Sequence, residues 1–461
     1  MPATYSSPGV YVEEVPPMSR PIAGVSTSTP GFVGIIDTFI ALPYTEGETL
    51  KWLKHKPGAE AGKPYRISSW SNYVELFGDF IGTKYAENAM AAGVAAAAAA
   101  KLANKDADNA KIKAAVTAAV AAATTTVLAG GDADAAAAAG AAGKANDMGS
   151  ASVKGEISVH QRNLAHAVFG FFNNGGTNCY VVRVEAAAKI DVALAALSAI
   201  EDISMVAAPG LAADAAHASL ITYATRQQQF AILDFAASST LADLKISTSP
   251  YAAAYYPWLK VFDPATALEK KGDGTVLVPP SGHIAGVYAR SDAARGVFKA
   301  PANEALLGVT AIETNVSREE QGVLNSAGIN IIRQLNGALR VWGARTAGGD
   351  KNGEYRYVST RRYFNYLRQS IDSGTQFVVF EPHTPALWQR VIRTLTDFLT
   401  NEWRSGALFG ETAKQAFFIK CDAETNPASS REQGQLIVEI GVAIVKPAEF
   451  VIFRIQQTSG S

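Results

Sequence analysis

Cysteine is almost missing from this chain: Cys179 and Cys421 are the only two in 461 residues. They lie far apart in strand-like runs, so neither a disulfide framework nor a zinc-ligand spacing is available. Each is expected to be a small buried thiol, in a chain that folds in a reducing compartment. An excess of charge of one sign is missing too, since 41 Lys+Arg offset 42 Asp+Glu to a formal net charge of -1. That balance supplies no global basic field to displace counterions, so nucleic acid is not an expected partner. No basic stretch followed by an apolar one opens the chain, and no signal peptide is expected. No strongly apolar run of about 18 residues marks a membrane span. The nearest candidate, residues 86–147, is alanine rather than leucine. The expectation is a soluble protein without membrane insertion.

Catalytic constellations are equally scarce. The six histidines are His55, His160, His166, His217, His283 and His383. None sits in a HExxH pattern, and His160 and His166 are too far apart to share a helix face as metal ligands do. In Glu381-Pro382-His383 the proline sets an extended turn with no third ligand nearby, so a structural or solvent-exposed histidine is expected. Ser281-Gly282-His283 lacks the flanking glycines of a nucleophile elbow. Asp263-Pro264 and Gly272-Asp273-Gly274 are turn dipeptides, the second too short for a calcium loop. The glycine-rich stretch 348–353 joins two strand-like segments and reads as a hairpin loop, not a phosphate cradle. No catalytic residue, cofactor or metal ligand is expected.

What is present is a long alternation of helix and strand. A segment at 22–40 reads as a strand entering a folded body; a strand at 65–67 and a short helix after Ser69 follow. Residues 86–147 have high helix propensity but almost no large side chain to bury, so a surface insertion is expected. Beyond it, helices at 160–172, 194–200 and 214–226 alternate with strands at 178–184, 203–207 and 230–234. This rhythm of near-continuous apolar strands predicts an α/β layer around a mostly buried sheet. Ser317 and Glu320 have capping-box spacing. Strands are expected at 329–335, 339–344, 377–380 and 436–445, with a helix at 360–372. Thr384-Pro385 opens the longest clean helix, and Gly406 closes it. Its Trp388, Val391, Ile392, Leu395, Phe398, Leu399 and Trp403 recur at i, i+3, i+4, i+7 and predict a core-facing stripe.

The two ends differ from the body. Val10, Tyr11, Val12 and Glu13 form a β-prone segment followed by Pro16, Pro17 and Pro21. Phe450, Val451, Ile452, Phe453, Arg454 and Ile455 form another, set off by Lys446 and Pro447. Termini fray unless tied down, and a strand carried on a stiff arm can pair with the sheet of another subunit. Two such arms suggest a polymer.

Several stretches carry a more specific likeness: residues 7–15, 174–184, 253–259, 278–290, 295–303, 308–346 and 357–457. Together they resemble the tail sheath proteins of contractile phage tails and of related phage-tail-like injection particles. The insertion has no counterpart in that likeness. The resemblance implies a mixed α+β, multi-domain subunit that is not an enzyme. Its C-terminal sheet-plus-helices domain would be completed by the N- and C-terminal arm strands of neighbouring subunits. The implied divisions are an arm (1–21), two parts of an outer or middle domain (22–85 and 151–307), the alanine-rich insertion (86–150), a C-terminal core (308–446) and a terminal arm strand (447–461). Implied partners are further copies in stacked hexameric rings, an inner tube, a baseplate and terminal cap proteins. Contraction of the rings would drive the tube through a target envelope. Assembly would take place in a bacterial cytoplasm, in a phage or an injection device. Arg361, Arg362 and Arg368, on one predicted helix, are candidates to face the tube. The competing readings are an α/β enzyme, which needs a cofactor loop or a convergent polar pocket, and a self-assembling surface-layer protein, which the missing signal peptide disfavours.

Overall fold

A computed structural model describes residues 21–46, 49–55, 57–81, 158–270 and 272–452. The expected arm strand Val10–Glu13, the prolines Pro16 and Pro17, the alanine-rich insertion and Phe453, Arg454 and Ile455 lie outside these residues. The described chain forms two units: residues 26–365 with 446–452, and residues 21–25 with 366–445.

The large unit contains β1 (Pro30–Ile35), β2 (Ile40–Glu46), β3 (Thr49–His55), β4 (Pro64–Ile67), α1 (Trp70–Phe77), α2 (Val159–Asn173) and β5 (Cys179–Val184). Next come α3 (Ile190–Leu197), β6 (Met205–Ala207), α4 (Asp214–Gln227), β7 (Phe230–Asp234), β8 (Ala252–Tyr256), β9 (Leu259–Phe262), β10 (Thr275–Val278) and α5 (Ser281–Arg295). The unit continues through β11 (Glu304–Ala305), β12 (Val309–Ile312), α6 (Arg318–Ser326), β13 (Ile329–Leu335), β14 (Ala338–Val341) and the start of α7 (Val358–Gly374).

A nine-stranded sheet in the order β11-β14-β13-β8-β7-β6-β1-β5-β4 organises the unit. Its six central strands, β13 to β5, run parallel, and the edges are antiparallel. Parallel strands need crossovers, and the crossover helices cover both faces, which is why these strands are apolar at consecutive positions. Phe32, Val181, Ile232 and Tyr255 point to one face and pack with Leu164, Val168 and Phe171 of α2 and Tyr288 of α5. Val33, Val182, Leu233 and Tyr256 point to the other, against Leu194 of α3, Leu220 of α4 and Leu324 of α6. Helices α2 and α5 approach so closely that a Cβ at Gly282 would overlap the backbone of Ala167. Strands β9, β10 and β12 form a smaller sheet, and β2 pairs with β3.

The small unit holds the end of α7, α8 (Pro385–Arg404), β15 (Phe417–Lys420) and β16 (Glu439–Val442). The expected domain boundary at 307/308 is not where the units divide. Parallel pairing of β13 with β8 draws residues 308–365 into the large sheet, and the division falls after Asn365, within α7. The strand expected at 377–380 is also absent: residues 376–378 form a 3-10 turn and Val379-Phe380 make a tight reversal. Val379 lies at φ -66, ψ 128 and Phe380 at φ 65, with the Glu381 amide donating to the Val378 carbonyl at 3.1 Å. This is a type II turn with phenylalanine where glycine is usual, and it leaves Phe380 102% exposed. Pro382 removes an amide from the same short link, so a strand gains no ladder there. The 348–353 loop winds into a 3-10 segment, Gly349–Tyr355, between the bridged residues Arg345 and Tyr357.

Candidate functional site

The small unit is built on α8. The Thr384 hydroxyl accepts from the Leu387 amide, Pro385 occupies the first turn, and Leu387, Trp388, Val391, Leu395, Phe398 and Leu399 are buried along one face. Helix α8 packs on β15. Past Gly406 (φ 87) the chain runs back beside residues 443–445, just beyond the end of β16: the Phe409 amide donates to the Ala443 carbonyl at 2.7 Å and the Val445 amide to the Ala407 carbonyl at 3.2 Å. Strands β15 and β16 are antiparallel, with Phe418 opposite Gly441 and Ile419 opposite Ile440. Asn426 closes the connection between them, accepting from the Ile437 amide at 2.8 Å and donating to its carbonyl at 2.9 Å.

Among the described residues each of these strands has only the other as its sheet neighbour. One face of the pair carries Phe418 and, beside Ala443, Phe409; they are 60% and 73% exposed. The small unit thus presents a short sheet with free edges and an aromatic face in solvent.

The residues leading to both terminal segments are among those described. On the N-terminal side Ile22 is buried against Gly374, and the Val25 amide donates to Ser370 Oγ at 3.1 Å, both on α7 in the small unit. On the C-terminal side the chain is held in the large unit. Lys446 pairs with Glu354 at 2.7 Å. The Glu449 carboxylate accepts from Arg345 Nε and Nη2 at 2.9 and 2.8 Å, Asn325 Nδ2 at 2.7 Å and Tyr357 Oη at 2.9 Å. Burial pushes the Glu449 carboxyl up, but the bonds from Arg345, Asn325 and Tyr357 outweigh it and hold it below the ordinary range. Phe450, Val451 and Ile452 follow outside any strand, and Ile452 is 79% exposed.

The three arginines on α7 part company. Arg362 is buried: its Nη2 donates to Asp292 Oδ2 at 2.6 Å and to the Thr27 carbonyl at 2.8 Å, and it lies over the Tyr288 ring. Arg361 is buried between the Tyr251 and Tyr355 rings, at 4.6 and 4.1 Å. The expectation that Arg361 and Arg362 face a tube does not fit this placement, because both guanidinium groups are engaged inside their own unit. Arg368 is exposed in the small unit.

The carboxyl end of β7, where open α/β sheets take ligands, is filled from within. Asp234 accepts from the Ser281 amide at 2.9 Å, Ser281 Oγ at 2.6 Å and the Gly210 amide at 3.1 Å. Burial pushes its carboxyl up to about 6 against those three bonds. Sequence reasoning missed Asp234, Asn325, Arg345, Tyr357 and Glu449. The only local signal was an acidic residue opening an otherwise apolar terminal run.

Residues 185–347 match the family description "phage tail sheath protein central domain", and residues 350–458 match "phage tail sheath C-terminal domain". The two matches follow one another and take in more than half of the chain. The chain belongs to the contractile tail sheath proteins. It is 28% identical over 212 residues to the tail sheath protein of Burkholderia phage BcepMu, which spans 44% of this chain and 42% of that one. Matches to curated sheath relatives thus span about half of their length or less. Two solved chains align over nearly the whole length. A chain of the contracted PVC sheath complex, from an extracellular contractile injection system, gives a TM-score of 0.65 at 25% identity, covering 99% of both chains. A chain from the baseplate of the anti-feeding prophage gives 0.62 at 26% identity, covering 99% of this chain and 100% of that one. No described helix of this sheath protein is long and apolar enough to cross a membrane.

Proposed function

We propose that this chain is the repeating subunit of a contractile sheath. Copies stack as hexameric rings around an inner tube, between a baseplate and terminal cap proteins, and contraction drives the tube through a target envelope. One observation carries the reading: the subunit pairs a two-stranded sheet with free edges and an exposed apolar segment, Phe450–Ile452, leaving the other unit. Strand addition answers both, because an added strand supplies backbone hydrogen bonds that survive while side-chain interfaces repack. The N-terminal segment Val10–Glu13 and the C-terminal segment 450–455 are the strands assigned to neighbours, with Pro16, Pro17, Lys446 and Pro447 as joints. Arg368 is the remaining candidate to face the tube.

Contraction needs no nucleotide on this account. A difference of about 1–2 kcal/mol per subunit between extended and contracted packing, summed over an array, exceeds the ~5.5 kcal/mol that fully switches one two-state element. The reading suits assembly in a bacterial cytoplasm before the particle acts outside.

Negative-stain microscopy of the purified protein tests it. Hollow cylinders are expected from the full chain, and folded, unpolymerised subunits from chains lacking residues 1–16 or 447–461. Normal cylinders from either truncation would overturn the exchange of arms.

A further inference from the structure

We propose that Asn325, Arg345 and Tyr357 form a carboxylate receptor whose ligand is Glu449, and that this clasp sets where the C-terminal arm leaves the subunit. The inference deepens the arm-exchange reading and rests on it. It moves the pivot from the Lys446–Pro447 joint to the Glu449–Phe450 bond.

Arg345, the centre of the receptor, is anchored by contacts other than the carboxylate. Arg345 is 4% exposed, and its amide donates to Asn330 Oδ1 at 2.7 Å. Its Nη1 is committed to the Asn325 carbonyl at 3.2 Å and to Asp350 at 3.0 Å. That leaves the Nε and Nη2 edge of a fixed guanidinium, the fork that matches a carboxylate with two parallel bonds. Asn325 and Tyr357 each add one donor, so each oxygen of Glu449 receives two bonds: Oε1 from Arg345 and Asn325, Oε2 from Arg345 and Tyr357. All four contacts are donors, which selects an anion. A glutamine amide in the same place would set its NH2 against a guanidinium donor in either orientation. The receptor residues come from the end of α6, the strand exit after β14 and the turn before α7, three points brought together by the large sheet.

Order and exposure change at this residue. Lys446 and Glu449 are both partnered, whereas Phe450, Val451 and Ile452 are exposed and outside any strand. With the pivot at Glu449, the twelve residues 450–461 form the exchanging strand. They reach at most roughly 40 Å when extended, and a fixed origin lowers the ordering cost of delivering them to a second copy.

The test uses the full chain and three variants: Glu449→Gln, Arg345→Lys, and a deletion of residues 450–461. Thermal melting first selects variants that fold as the parent does. Cleavage within 446–461 by a broad-specificity protease is then mapped by mass spectrometry, and the protein concentration at which cylinders form is measured. Glu449→Gln and Arg345→Lys are expected to raise tail cleavage at least about tenfold, in line with loss of charge-assisted bonds, and to raise the assembly concentration several-fold. If both stay within twofold of the parent while the deletion abolishes cylinders, the clasp is wrong and arm exchange stands. If the deletion still forms cylinders, the arm-exchange reading itself falls.

Discussion

In the large unit every parallel strand from β13 to β5 is hydrogen-bonded on both sides, and helices cover both faces. In the small unit β15 and β16 have only each other among the described residues, and Phe409 and Phe418 stand in solvent. A two-stranded sheet is marginal on its own and draws support here from α8. Folding free energy is therefore concentrated in one unit, and unsatisfied pairing capacity in the other. On the proposed reading the first is complete before assembly and the second is completed by it.

The same substitution made in each unit breaks or sharpens that contrast. Phe171→Ala, in the core of the large unit against Phe32, is expected to cost about 3–5 kcal/mol in urea unfolding of the lone subunit. A cost below about 1 kcal/mol would mean that the sheet is not the main store of stability.

His283 comes next. Burial, with His166 nearby, lowers its pKa from 6.5 to about 3; Asp263 and Arg162 face the same helix pair. The folded state therefore binds fewer protons than the unfolded one below pH 6.5, so this contribution is full above 6.5 and is lost as pH falls. Asp234, raised to about 6, runs the other way, contributing most below 3.8 and losing its part as pH rises. Comparison with His283→Gln isolates the histidine. The stability difference between parent and variant should shift by about 3 kcal/mol between pH 7.5 and 4.5. A difference independent of pH would show that His283 is solvated.

Smaller effects belong to the small unit. Thr384→Ala removes the cap of α8 and should cost about 1 kcal/mol, read as a lower melting temperature. Phe418→Ala should change lone-subunit stability by no more than about 0.5 kcal/mol yet reduce cylinder yield. A large loss of stability instead would place Phe418 in a finished core.

What was legible in the sequence was local. Helix α8 begins at Thr384-Pro385 and ends before Gly406 as expected, because cap chemistry and the 3.6-residue stripe act within a few positions. The capping box of α6 formed for the same reason, the Glu320 amide donating to Ser317 Oγ and the Ser317 amide to Glu320. Strands β5, β7 and β13 were readable as apolar runs bounded by turns. Phe377–Phe380 was an apolar run as well, but its end spans a tight reversal, and composition alone does not separate an exposed turn from a buried strand. Arg361 and Arg362 read as surface charges because their partners Tyr251 and Asp292 are distant in sequence. The clasp was invisible for the same reason: Arg345 and Glu449 are 104 positions apart. A boundary at 307/308 looked natural until the parallel pairing of β13 with β8 joined the segments on either side.

If the subunit bears load in a contracting sheath, Asp234 has a consequence for how force would pass through it. By taking bonds from Gly210 and from Ser281, it rivets three stretches of chain at the rim of the main sheet. Its negative charge greets any phosphate with repulsion, and the rivet removes the slack that a ligand-gated cleft requires. On the proposed reading, a corner locked in this way would move as one piece, so that an imposed load reaches the subunit's margins.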